Sequence, residues 1–164
     1  MNMKSVSLSP AGERVGVRGR TLLLSSLLFV ACAPSVVIPL EDAKYADALG
    51  VDIAASTKVA GMYIRDISVG TGPAEALTGH PVTMRYTGWL SNGTQFDSNQ
   101  TTGFQFTLGS GQVIQGWDVG VRGMLVGGQR QLIIPASMGY GESGTNGIPG
   151  NSILVFNVTM MSTP

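Results

Sequence analysis

From Lys58 onward the chain alternates apolar and polar residues with a period of two. Val82, Met84, Tyr86 and Gly88 fall on one side of their segment, and Phe104, Phe106 and Leu108 do the same in theirs. Met62 and Ile64, with Ile67 placed on the same side, make a third such segment. This period belongs to strands with one buried and one wet face, which is the pattern of antiparallel rather than parallel sheets. Asn92-Gly93, set between Trp89-Leu90 and Gln95-Phe96, is a tight-turn signal that demands a hairpin there. Only one stretch breaks the alternation: Val113, Trp117, Val121 and Met124 stand at helical spacing and predict a helix over 113–124, its apolar side against the sheet. Gln129 to Pro135 and Ile153 to Met161 read as two more strands, the second nearly continuously apolar, which places it in the middle. Between them, Tyr140 to Gly150 is rich in glycine and lacks periodicity, the pattern of a surface loop of the kind that overhangs sites.

A chain of 164 residues, 43% hydrophobic and 12% charged, forms one domain with a core and a short extension. Basic and acidic residues balance at ten each, but Lys4, Arg14, Arg18 and Arg20 all precede residue 21, so the remainder is acidic and offers no nucleic-acid surface. The one histidine, His80, lies in a Gly-His-Pro loop, and the one cysteine, Cys32, has no second thiol. Neither a metal cluster nor an internal disulfide can be assembled from them, and no cofactor is implied. No hydrolase triad can be built either, since His80 has no partner.

The chain begins as an address. A basic stretch ending at Arg20 precedes the apolar run 22–31, which is too short for a membrane span of about 20 residues and suits a signal peptide over 1–32. Phe29-Val30-Ala31-Cys32 resembles the bacterial lipobox, whose cysteine is acylated and anchors the mature protein to a membrane. The plainer alternative is ordinary cleavage beside Cys32. Ala33 is unlike the aspartate that retains lipoproteins in an inner membrane, which points to the periplasmic side of an outer membrane. Residues 33–57 read as a link with a short helix, Leu40 to Leu49, ended by Gly50. The link is too short for a dimerising stalk, so a monomer is expected, with the folded domain over 58–164.

Tyr86, Phe96, Asp97, Phe104, Val113, Ile114 and Trp117 come from neighbouring segments and fall within reach of one site, aromatic but for a single carboxylate. Such a site suits an apolar ring and one or two carbonyls better than a phosphate or a metal. Singly, these residues read as core or turn formers; their joint occurrence points to a pocket, because a core can be filled with leucine.

Six ordered segments then carry a resemblance. Val82-Thr83-Met84-Arg85-Tyr86-Thr87-Gly88, Gly93-Thr94-Gln95-Phe96-Asp97-Ser98, Phe104-Gln105-Phe106-Thr107-Leu108-Gly109, Val113-Ile114-Gln115-Gly116-Trp117, Tyr140-Gly141 and Leu154-Val155-Phe156 together resemble the FKBP-type peptidyl-prolyl cis-trans isomerases. The resemblance implies an α+β fold, a five- or six-stranded antiparallel sheet curled around one short helix, with a proline pocket between them. It implies Trp117 as the floor under the proline ring and Tyr86, Phe96, Phe104, Val113, Ile114 and Phe156 as walls. The backbone amide of Ile114 and the hydroxyl of Tyr140 would hold substrate carbonyls, Asp97 would polarise the pocket or orient Tyr86, and Ile148 would cover the rim. Proline-containing polypeptides and macrolide inhibitors of the FKBP class are the ligands it implies.

The chain departs from the family's pattern in two loops. Residues 98–103 form a shorter loop than in the small single-domain members and lack the arginine that often follows the aspartate, and Thr145-Asn146-Gly147 stands where a histidine or aromatic is common. Substrate preference and inhibitor affinity are the properties these departures bear on. A binding module or chaperone that grips proline segments with little turnover, or an envelope assembly module, is the alternative function. An inserted flap domain, usual in related chaperones, finds no room between Tyr140 and Phe156.

Overall fold

The computed structural model describes residues 37–163; the leader and Cys32 lie outside them. Six strands form one sheet: β1 (Thr57–Val59), β2 (Met62–Ser68), β3 (Pro81–Leu90), β4 (Gln95–Thr107), β5 (Gln129–Ile134) and β6 (Leu154–Ser162), in the order β1-β2-β5-β6-β3-β4. All five ladders are antiparallel. The nearly continuously apolar strand is β6, held between β5 and β3. A two-residue turn at Ala60 and Gly61, both at positive φ, joins β1 to β2. The Asn92-Gly93 turn joins β3 to β4, with the Thr94 N–H donating to the Asn92 side chain at 2.9 Å.

Core-facing positions follow the alternation. Met62, Val82, Met84, Phe106, Leu132, Ile134, Phe156, Val158 and Met160 join one cluster beneath the helix. Ile67 does not: a register shift between Asp66 and Ser68 and a spacing of three from Ile64 leave it exposed.

The one α-helix among the described residues, α1 (Gln115–Gly120), is shorter than the span 113–124 that the periodicity predicts. Ile114 is extended, with ψ 147, and the C-terminal side unwinds into a turn that closes at Gly123, whose φ is 77. Gly116 and Gly120 are poor helix formers, so tertiary packing fixes this helix rather than propensity. A Cβ at Gly116 would lie 2.5 Å from Ile134, and one at Gly120 would lie 2.8 Å from Leu132. The glycine side of α1 therefore lies flat on β5 and turns Trp117 toward the sheet.

A buried arginine locks this arrangement. Arg130 on β5 donates to the Asp66 carboxylate at 2.6 and 3.2 Å and to the carbonyls of Gly120 and Arg122 at 2.9 and 3.0 Å. It thereby satisfies carbonyls left open at the end of the helix and joins β2, β5 and α1.

Residues 40–53 cover the opposite face of the sheet. Leu40 and Leu49 are buried there beside Tyr63 and Ile133, with Tyr45, Val51, Ile53 and Ile153 around them. The helix predicted from Leu40 to Leu49 reduces to a single 3₁₀ turn, Asp47–Leu49, ended by Gly50 at φ 56. Side chains of the sheet hold the end of this turn: Gln131 Nε2 donates to Leu49 O at 2.8 Å, and Arg65 Nη2 to Gly50 O at 2.8 Å.

Candidate functional site

Along β3 the core-facing side chains run Val82, Met84, Tyr86, Gly88; the first two are fully buried, whereas Tyr86 opens into a cavity of about 470 Å³. Its lining is Tyr86, Phe96, Asp97, Phe104, Gly111, Gln112, Val113, Ile114, Trp117, Tyr140 and Phe156. Trp117 forms its base, 4% exposed and surrounded by rings. Tyr86 and Phe156 meet it edge to face, at 5.0 and 5.4 Å between centroids, and Phe96 meets Phe156 in the same way at 5.4 Å. These perpendicular pairings are the favoured ones for aromatic quadrupoles and hold the rings in place. The indole Nε1 of Trp117 is buried without a hydrogen-bond partner.

Polar groups sit around the mouth. The Tyr86 hydroxyl donates to Asp97 Oδ2 at 2.7 Å, and the Ser98 N–H donates to Asp97 Oδ1 at 2.8 Å. Burial, then the bond to Asp97, pushes the Tyr86 phenol well above its ordinary value. Tyr140, 38% exposed, is also raised, first by burial and then by the Asp97 charge. Both tyrosines are therefore neutral hydroxyl donors at ordinary pH.

The opposite wall is held from behind. On α1 the Asp118 carboxylate accepts the N–H groups of Gly109 and Gly111 at 2.8 and 3.1 Å, and Gln112 Oε1 accepts the Thr107 N–H at 2.7 Å. These bonds present Val113 and Ile114 to the cavity. The Ile114 N–H donates to no group among the described residues.

The segment 98–103 is not a loop between two strands. β4 runs through it, with Asn99 paired to Tyr86 and Phe104 to Met84, so residues 100–103 bulge out of the ladder. Asn99 closes the bulge, its amide donating to Gly103 O and accepting from Gly103 N, both at 3.1 Å. Phe104 re-enters beyond the bulge and stacks on Phe106 at 5.9 Å.

Of the residues expected at the site, Tyr86, Phe96, Asp97, Phe104, Val113, Ile114, Trp117, Tyr140 and Phe156 line this one cavity. Ile148, expected at the rim, does not: it is 6% exposed and packs into the main core. Thr145 and Ile148 exchange backbone hydrogen bonds in a tight turn that folds the apolar side chain inward, where burial favours it. Gly111 and Gln112 line the cavity without having been anticipated; their position just before Val113 was the available signal.

Three comparisons bear on this geometry. The family model described as FKBP-type peptidyl-prolyl cis-trans isomerase matches residues 72–161. An FK506-binding protein of Neisseria meningitidis serogroup B is 48% identical over 104 residues, covering 62% of this chain and 94% of that one. FK506-binding protein 4 of Emericella nidulans is 51% identical over 105 residues, which are 63% of this chain and 22% of the fungal protein, so the chain spans less than a quarter of that relative. The crystal structure of a peptidyl-prolyl cis-trans isomerase from Pseudomonas syringae superposes with a TM-score of 0.60 at 30% identity, covering 66% of this chain and 80% of that one.

Proposed function

Because the chain belongs to the FKBP-type peptidyl-prolyl cis-trans isomerase family, we propose that it accelerates cis-trans rotation of X-Pro bonds, with the cavity over Trp117 as the proline site. The observation that carries this is the cavity's make-up: a buried indole beneath perpendicular rings, with one carboxylate, one free amide and one exposed hydroxyl at the mouth.

Rotation about the X-Pro bond costs roughly 18–20 kcal/mol because amide resonance is lost at the twisted geometry, and it takes tens to hundreds of seconds unaided. No covalent bond has to break. A site therefore needs to favour the twisted amide over both planar forms, and each 1.4 kcal/mol of preference is worth about a factor of ten. The proline ring sits on Trp117 between Tyr86 and Phe156, and the twisted carbonyl, less polar than the planar one, loses little in a dry aromatic cavity. The Ile114 N–H and the Tyr140 hydroxyl hold carbonyls on either side, fixing the chain ends while the bond turns. Asp97 holds Tyr86 at its fixed angle.

The proteins acted on are exported or envelope polypeptides, reached by a monomer whose leader is removed and whose Cys32 carries a lipid in the outer membrane. Support for this is the basic and apolar leader with the lipobox-like Phe29-Val30-Ala31-Cys32. FKBP-class macrolides compete for the same cavity.

The test is the relaxation rate of a short X-Pro peptide with the full chain, with and without a macrolide inhibitor. Acceleration abolished by the inhibitor, and greatly reduced by Trp117→Leu and Tyr140→Phe, supports the reading. A folded protein that binds the inhibitor without accelerating the peptide is instead a proline-binding module. Loss of membrane association in Cys32→Ala tests the anchor.

A further inference from the structure

The chain has two Asn-Gly pairs, Asn92-Gly93 and Asn146-Gly147, and both asparagines are exposed in turns. Their hydrogen bonds set them apart. At the first pair the Gly93 N–H donates to Leu90 O at 2.9 Å and the Asn92 side-chain oxygen accepts the Thr94 N–H at 2.9 Å, so the backbone nitrogen and the side chain are both held. At the second, Asn146 and Gly147 are the central residues of a turn closed by Thr145 and Ile148, which exchange backbone bonds at 3.0 and 2.8 Å. Among the described residues no group accepts the Gly147 N–H, and none bonds the Asn146 side chain. Gly147, at φ 79 and without a Cβ, leaves its nitrogen open to approach.

We propose that Asn146-Gly147 is a site of spontaneous deamidation that alters the loop beside the cavity. The Gly147 nitrogen, giving up its proton, attacks Cγ of Asn146; the new N–Cγ bond closes a cyclic succinimide, the Cγ–Nδ2 bond breaks, and the side-chain nitrogen leaves as ammonia. Water then opens the ring at either carbonyl, giving aspartate, or isoaspartate with an extra methylene in the backbone. Water is the only co-reactant, and nothing is oxidised or reduced.

The loop has no slack for that methylene. A Cβ at Gly144 would lie 2.2 Å from Ile148 O, and one at Gly150 would lie 1.8 Å from Glu142 O, so the two limbs of the loop already touch. Isoaspartate at 146 therefore breaks the pairing of Thr145 with Ile148 and draws Ile148 from the cluster it shares with Trp117 and Phe156. Tyr140 is tied to the same loop through its carbonyl, which accepts the Gly144 N–H at 3.1 Å, and loses its fixed place at the cavity.

The experiment incubates the purified full chain at mildly alkaline pH, where the attacking nitrogen gives up its proton more readily. Peptide mapping by mass spectrometry locates the conversion, an isoaspartyl methyltransferase labels the isoaspartate, and Tm, tryptophan fluorescence and kcat/KM are followed alongside. Conversion at 146 should run well ahead of conversion at 92. As isoaspartate accumulates, Tm falls, the fluorescence shifts, and kcat/KM on an X-Pro peptide drops about fivefold, the worth of one positioned hydroxyl. Asn146→Gln, whose longer side chain closes the ring poorly, keeps whatever Tm and activity it starts with through the same incubation. Freshly purified Asn146→Asp, which brings the charge without the methylene, stays within about twofold of the parent. No conversion at 146, conversion at 92 that matches it, a converted protein with unaltered Tm and fluorescence, or an Asn146→Asp variant as impaired as the aged protein overturns the proposal. The mapping, Tm and fluorescence do not depend on the isomerase reading, so a chain that ages in this way but accelerates no peptide overturns that reading and leaves this site standing.

Discussion

Gly88 on β3 lies so close to Phe156 that a methyl group in place of its hydrogen would stand 2.6 Å from the Phe156 ring and 2.8 Å from that of Phe96. The missing side chain is the notch in which those two rings meet edge to face. Gly88→Ala must therefore displace Phe156, which also packs on Trp117. Such overpacking costs about 1–3 kcal/mol. The expected result is a lower Tm together with a weakened near-UV circular dichroism signal and a loss of macrolide affinity. Unchanged affinity in a destabilised protein would show that the cavity wall tolerates the shift.

Tyr86→Phe removes one hydrogen bond and leaves the ring edge to face with Trp117. A bond to a carboxylate in a part-exposed place is worth about 1 kcal/mol and is already made without substrate, so its loss should lower the Tm by about 3–5 °C and change kcat/KM by less than about fivefold. Assay of the variant on one X-Pro peptide checks this; a fall of several orders of magnitude would give the hydroxyl a direct part in the rotation.

What the sequence revealed and what it concealed divide along the distance between interacting residues. Alternation placed Tyr86 and Trp117 on facing elements because strand parity and helical spacing are local properties. Residues 40–53 looked like a link because their apolar side chains, Leu40 and Leu49 among them, have no period; their partners Tyr63 and Ile133 come from two different strands. Arg130 and Asp66 are 64 residues apart, and nothing near either announces the other. The bulge at 100–103 looked like a loop because glycine and hydroxyl residues weaken the strand signal, while Asn99 restores it through bonds visible only in three dimensions. Ile148, placed by analogy at a rim, is buried in the cluster that also holds Trp117 and Phe156, a contact its place in a glycine-rich loop does not announce.

Arg130 should be the most sensitive polar residue outside the cavity. Arg130→Met leaves Asp66 free to meet water but strands the carbonyls of Gly120 and Arg122 at the end of α1. The cost should be about 2–4 kcal/mol. Asp66→Asn, at the partly exposed end of the pair, should cost about 1 kcal/mol. Denaturant unfolding of both single variants and the double variant measures the coupling; additive losses would mean that Arg130 acts through the helix carbonyls alone.

Glu41 ties the segment over the second sheet face to β1 and β2, and its attachment carries a pH dependence of known sign. Its Oε1 accepts from Lys58 and, at 2.7 Å, from the Tyr63 hydroxyl. The Lys58 bond first, and then that of Tyr63, hold the carboxyl down to about 2 from an ordinary 4.5. The folded protein thus binds this proton less tightly than the unfolded chain, so the contribution to stability is complete above about 4.5 and is lost as pH falls toward about 2. Glu41→Gln removes the contribution at every pH. The Tm difference between the two proteins should therefore be widest near neutrality, narrow through that acid window and close near its lower end. Because the pair is exposed, concentrated salt should narrow the difference at neutral pH as well. Thermal unfolding in a pH series decides it: a difference that stays constant through the window would mean that Glu41 holds the segment by contact alone.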